Sequence, residues 1–231
     1  MGSALNFSEL RTSGRYRVRV VAPKNKGLTP STASVKQQCG RERILSVVGL
    51  PLVFVTSRVE KAREAERIGF TVERLDLDLP EPQALDPSRI VEEKAKTAYA
   101  MLSRPVLVED SGLSIDAWGG FPGALVKWLE RSAGVAAIPR MLDRFEDRSA
   151  TAACAIAYTD GGDVVSARGE TRGAIAPAPR GSNGFGWDTI FVPEGDTRTF
   201  AEMSGAEKDR VSHRRRAWEA LAARLPIQRR P

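Results

Sequence analysis

The sequence predicts an α/β domain built on a central mixed β-sheet flanked by helices, and three observations carry that reading. Short runs rich in Val, Leu and Ile alternate with helical periodicity between Leu52 and Leu102. Two alternating stretches, Ala150 to Thr159 and Val164 to Arg172, flank Asp160-Gly161-Gly162 and read as an antiparallel hairpin. The composition, 42% apolar and 28% charged over 231 residues, suits one globular unit with a sizeable core. Helical crossovers imply parallel strand pairs and the hairpin an antiparallel one, so the sheet is mixed.

Residues 1–50 stand apart. They hold nine Lys/Arg against two acids, whereas the remaining 181 residues hold 26 bases and 27 acids. The net charge of +6 and the pI of 9.6 therefore belong to this stretch, and the rest is nearly neutral. One strand-like run, Tyr16 to Val21, lies in it. It reads as a poorly ordered basic extension, with a transit peptide or a nucleic-acid-binding arm as alternatives. The domain is set at 51–231.

Within the domain, Leu52 to Val55 is a strand, followed by a helix with apolar residues at Val59, Ala62, Ala65 and Ile68 that stops at Gly69. Thr71 to Leu77 is a second strand, and Pro80 to Gln83 a loop. Asp86 caps a helix with Pro87 at its first position, whose stripe runs from Ile90 to Leu102. Val106 to Glu109 reads as a buried strand ending at two adjacent acids, Glu109 and Asp110, which alternation sends to opposite faces. Helical stretches follow near 124–131 and 135–145. After the hairpin, a Gly-rich loop from Gly181 to Gly186 leads into a strand, Trp187 to Val192. A helix opens at Ser212 and runs to about Leu225.

Several function classes are disfavoured. The longest apolar run, Ile44 to Val55, is too short to span a bilayer and is broken by Gly49 and Pro51, and no secretory h-region appears. Cys39 and Cys154 make neither a disulfide framework nor a metal spacing, so a cytoplasmic setting is expected. A single histidine excludes a multi-His site, so any metal is a hard, oxygen-ligated ion such as Mg²⁺.

Four stretches could carry chemistry. Thr56-Ser57-Arg58…Lys61 offers a helix start and cations to an anion, although Ser57 and Glu60 also spell a capping box. Lys94 falls within the apolar stripe of its helix, so it snorkels or meets an anion. Gly184-Phe185-Gly186-Trp187-Asp188 sets two aromatics among glycines, either to stack on a base or to anchor a loop. Lys208…Ser212-His213-Arg214 places cations at a helix start, which calls for solvent or for a negative ligand.

Together these residues resemble the inosine triphosphate pyrophosphatase family. Phe54-Val55-Thr56-Ser57…Lys61, Asp78 to Gln83, Glu93-Lys94-Ala95 and Val106 to Ser111 match in order. Gly120 to Gly123 with Lys127-Trp128, Phe185 to Asp188, Thr199 to Met203, and Lys208…Ser212-His213-Arg214 continue the match across 52–225. The resemblance implies an elongated two-lobed fold, a homodimer, and Mg²⁺-dependent hydrolysis of ITP, dITP and XTP to monophosphate and pyrophosphate. It implies Glu81 and Asp110 as metal ligands, and Asp110, with Glu109, as the groups that activate water. Thr56, Ser57, Arg58, Lys61, Lys94 and Ser111 would hold the triphosphate, and Lys127 is a further ligand contact. Phe185 and Gly186 would meet the base, with Trp187, Asp188, Lys208, His213 and Arg214 reading its edge and sugar. Two positions depart from the pattern, Arg58 for Asn and Thr189 for Pro. Arg58 leaves open a catalytically impaired nucleotide- or nucleic-acid-binding protein, and a Maf-type pyrophosphatase is the same-class alternative.

Overall fold

The structure, a computed structural model, describes residues 52–225. The basic extension, its Tyr16 to Val21 run and Cys39 lie outside the described residues. The strands are β1 (Leu52–Val55), β2 (Val72–Leu75), β3 (Val106–Ile115), β4 (Pro122–Gly123), β5 (Ser149–Thr159), β6 (Val165–Ile175) and β7 (Phe191–Pro193). The helices are α1 (Val59–Arg67), α2 (Pro87–Leu102), α3 (Val126–Ala133), α4 (Ala137–Met141), α5 (Gly205–Val211) and α6 (His213–Ala222). Strands run β2-β1-β3-β5-β6-β7, with β4 against β3. β1 pairs in parallel with β2 and β3, and the remaining pairings are antiparallel, so the sheet is mixed as expected.

Three apolar clusters organise the packing. Phe54, Leu107, Ile156 and Trp218 lie under α1 and α6 on one face of the sheet. Val53, Val55, Val106 and Val108 meet Val91 and Ala95 of α2 on the other. A third cluster, with Leu113, Ile138, Phe191 and Phe200, sits toward the far end of β3, β5 and β6. Strands of 10 or 11 residues reach roughly 35 Å, so these three run from the clusters under α1, α2 and α6 into the third.

Some boundaries differ from expectation. β3 continues to Ile115 because β5 pairs with its whole length, from Val106↔Thr159 to Ile115↔Ala150. Only the parallel partner stops, at Val55↔Val108, so Glu109 and Asp110 stand where β1 ends and not where β3 does. The expected strand from Trp187 begins instead with a 3-10 turn over Gly186–Thr189, because Gly186 has φ +61 and Asp188 accepts the Phe185 N–H at 2.9 Å. The stretch at 135–145 yields only the five-residue α4.

Gly169 of β6 sets the depth at which α6 docks. A Cβ there would lie 2.3 Å from both the His213 carbonyl oxygen and the Ala217 nitrogen, which are helix backbone and cannot rotate away. Gly169→Ala is expected to lift α6 from the sheet, with a loss of about 1–3 kcal/mol read from the urea midpoint. An unchanged midpoint would show that α6 yields freely.

Candidate active site

An open cleft lies beside the end of β1. Every sequence-predicted site residue except Lys208 lines it. Thr56, Ser57 and Arg58 form its rim at the β1–α1 turn. The expected Ser57–Glu60 capping box is absent: Arg58 is the N-cap residue, with no side chain capping α1, and its N–H donates to Thr56 Oγ1 at 3.2 Å. The first turn of α1 thus keeps backbone donors free for an anion.

Alternation along β3 divides its two acids. Glu109 faces α1 and α6, where Arg214 Nε donates to both its oxygens at 3.0 and 3.1 Å. Trp218 Nε1 donates at 3.3 Å, and Lys61 Nζ lies 3.3 Å away. Burial works to raise the Glu109 carboxyl, but Arg214 and Lys61 outweigh it and hold it below the usual range. Asp110 faces α2. It is buried, and that burial, reinforced by Glu81, raises its carboxyl despite Lys94 and Lys61.

Lys94 is drawn inward. It is 8% exposed, and its Nζ donates to Glu81 Oε1 at 2.7 Å and to the Glu109 carbonyl at 3.2 Å. Lys127 of α3 takes the other Glu81 oxygen. Burial would push Glu81 up, but the two lysines bring it down to about 2. Ser111, half-buried, follows Asp110 on the same wall.

The opposite end of the cleft rests on a buried ionic network. Lys208 of α5 donates to Glu64 at 2.8 Å and to Asp188 at 2.7 Å, and Arg214 reaches Glu64 as well as Glu109. The half-buried Phe185 ring stands over these cations, with Lys208 Nζ 5.2 Å and Arg214 Cζ 5.4 Å from its centroid. His213 is 1% exposed between Trp187 and Phe200, and neither of its ring nitrogens has a hydrogen-bond partner. Burial, with Arg214 and Lys208, keeps the imidazole neutral far below its usual range. Ser212 caps α6 as expected, accepting the Arg214 N–H at 3.1 Å, but the first turn it caps is buried and not solvated.

Sequence reasoning missed Glu64 and Glu130. Glu64 lies one turn from Lys61 and beside Ala65 in the buried stripe of α1, the same signal that singled out Lys94. Burial raises its carboxyl, and Arg214 and Lys208 more than reverse that, so its folded-state value is below the ordinary 4.5. A depressed carboxyl stabilises the fold above its unfolded value and loses that contribution as pH falls. The stability gap between wild type and Glu64→Gln is therefore expected to be full above pH 4.5 and to narrow below it, as read by thermal unfolding. A constant gap would exclude ionised Glu64.

A family model described as the Ham1 family matches residues 52–224. The chain is 41% identical to a dITP/XTP pyrophosphatase of Methanopyrus kandleri, over 75% of this chain and 95% of that one. It is 43% identical to an inosine triphosphate pyrophosphatase of Yarrowia lipolytica, over 74% and 94%. A HAM1 protein structure from Coxiella burnetii superposes with a TM-score of 0.65 at 29% identity, covering 75% of this chain and 97% of that chain. A dITP/XTP pyrophosphatase structure from Mycobacterium abscessus gives 0.59 at 34%, covering 76% and 99%. With a family model that matches residues 52–224 and relatives of this identity over most of its length, the chain belongs to the Ham1 family.

Proposed function

We propose that this protein hydrolyses aberrant purine nucleoside triphosphates, ITP, dITP and XTP, to the monophosphate and pyrophosphate. The observation that carries this is the unpartnered His213 ring in the wall of a cleft whose other end gathers Lys61, Lys94 and Lys127. A neutral imidazole offers one donor and one acceptor, which a 6-oxopurine edge answers with O6 and N1–H. Arg214 adds a donor on the same wall, and adenine, with an amino group in place of O6, leaves such donors unpaired.

The lysines neutralise the triphosphate, while Phe185 stacks on the base. Glu81 and Asp110 suit Mg²⁺: they are hard oxygen donors, and they stand close enough for the Glu81 charge to raise the Asp110 carboxyl. Such a site leaves the remaining ligand positions to water and phosphate, as Mg²⁺ favours. Mg²⁺, when bound, supplies charge neutralisation at the reacting phosphate. Lys94 and Lys127, which pair with Glu81, would be free to donate to the phosphate oxygens where Glu81 held the ion. Asp110 accepts a proton from the attacking water as an oxygen–phosphorus bond forms at the α-phosphorus. The bond to the β-phosphate breaks, and pyrophosphate leaves with its electron pair. Glu109, held by Arg214, Lys61 and Trp218, positions those cations and takes no proton.

Two coarser points accompany this reading. No helix among the described residues is long and apolar enough to cross a membrane, and a cytoplasmic enzyme with a free buried thiol at Cys154 is proposed. A homodimer is proposed on the exposed Leu85 and Phe121, which lie on adjoining segments tied by the Ala124 N–H to the Leu85 carbonyl at 2.9 Å.

Incubation with ITP, dITP, XTP, ATP and GTP plus Mg²⁺ tests the function. Pyrophosphate release with preference for the first three is expected. Orthophosphate release, or equal rates on ATP, would reject it.

A further inference from the structure

Among the described residues, four buried side-chain atoms lack a hydrogen-bond partner: both His213 ring nitrogens, Thr189 Oγ1 and Glu130 Oε1. His213 belongs to the base end of the cleft. Glu130 stands elsewhere. It lies one turn after Lys127 on α3, so the two share a helix face, and both line the cleft.

Its carboxylate sits against Gly186, where an added Cβ would be only 3.2 Å from Oε1 and 3.6 Å from Oε2. A side chain at 186 would press on the carboxylate, and Gly186 also has φ +61. Burial pushes the Glu130 carboxyl upward, Arg58 opposes this from across the cleft, and Asp188 adds to it. The carboxylate is thus partly desolvated, opposed by the charges of Arg58 and Arg131 without a hydrogen bond from either, and its Oε1 is short of a donor.

An ionised carboxylate only accepts hydrogen bonds. The phosphates of a nucleotide bring no donor and would be repelled, so the donors available are base N–H groups and sugar hydroxyls. Glu130 is placed between the two ends of the substrate. Lys127 on one side meets Glu81 at the phosphate end, and Gly186 on the other adjoins Phe185 at the base end. The sugar is what spans that interval, and acidic side chains are established readers of ribose hydroxyls in other nucleotide sites.

We infer that Glu130 is a specificity-determining residue whose carboxylate accepts a hydrogen bond from the 3′-hydroxyl of the bound nucleotide. The inference rests on the proposed function, whose substrates include a ribose and a deoxyribose form, and the 3′-hydroxyl is the ring hydroxyl common to both. The enzyme thereby distinguishes intact nucleotides from 3′-deoxy analogues.

The test compares ITP, dITP and 2′,3′-dideoxy-ITP in the wild type, Glu130→Ala and Glu130→Gln, following pyrophosphate release with Mg²⁺. A charged hydrogen bond corresponds to roughly a 10- to 100-fold preference of the wild type for dITP over the dideoxy compound in kcat/KM. Glu130→Ala is expected to lower ITP and dITP together and to erase that preference, and Glu130→Gln, which keeps an acceptor oxygen, to retain part of it. Survival of the preference in Glu130→Ala would overturn the inference. So would an equal fall on all three compounds, which would mean that Glu130 serves only the shape of the cleft or Arg58. Calorimetric binding of dIMP and dideoxy-IMP runs in parallel. If the wild type releases no pyrophosphate, the functional reading fails, and the binding ratio in wild type and Glu130→Ala still decides the role of Glu130.

Discussion

Asp110→Asn is expected to abolish most turnover, with kcat lower by about 10²- to 10⁴-fold, while leaving the fold at least as stable as wild type. The two halves of this result come from one cause. Asp110 is buried on the α2 face of β3, and burial together with Glu81 raises its carboxyl. A raised carboxyl means that the charged form is disfavoured in the folded chain, so above its folded-state value the ionised group costs stability. Asparagine keeps the shape and removes that charge. Thermal unfolding without added Mg²⁺ should show an equal or higher midpoint, and a pyrophosphate-release assay should show the loss. A variant that retains turnover would remove Asp110 from the proton-accepting role. One that loses both turnover and midpoint would make the residue structural.

Arg214→Leu is expected to produce the largest loss of stability, about 3–5 kcal/mol by urea denaturation. Its guanidinium serves two buried carboxylates at once, Glu109 and Glu64, with side-chain exposures of 0% and 7%. Removing it leaves Glu109 with Lys61, and Glu64 with Lys208 and the more distant Arg67. The cost is that of the abandoned charges more than of a lost attraction, so Arg214→Leu combined with Glu64→Gln should be less damaging than the sum of the two. Additive losses would show that Arg214 and Glu64 do not share a network. In contrast to Asp110, the Glu109 carboxyl is held below its usual range, so Glu109→Gln should destabilise.

The fold was readable where local periodicity decides structure. The period of two along Val106–Ile115 sent Glu109 and Asp110 to different partners, as the sequence implied. The strand's end was not readable, because it depends on β5 lying alongside, which no local pattern reports. Two S-x-x-E runs illustrate the same limit. At Ser204 the box forms, with Glu207 Oε2 accepting the Ser204 N–H at 2.8 Å, and it opens α5, a helix the sequence analysis passed over. At Ser57 the identical spacing forms no box, because the helix starts one residue later and Arg58 takes the cap position. The site shows a similar division. Lys94 betrayed itself by sitting in an apolar stripe. His213 and Arg214 looked like a solvated helix start, and only the pairing of Arg214 with Glu64 and Glu109, 150 and 105 residues away, accounts for its place inside.

That separation bears on the making of the chain. Glu109 leaves the ribosome 105 residues ahead of Arg214, which at ordinary synthesis speeds is roughly 5–20 s. During that interval Glu64 of α1 and Glu109 of β3 are without the guanidinium that pairs with both in the folded chain. The helix that completes the core cluster around Phe54, α6, is also the one that brings His213 and Arg214 to the cleft. A chain cut short before α6 would lack both the helix that covers this face of the sheet and the two side chains that it brings to the cleft.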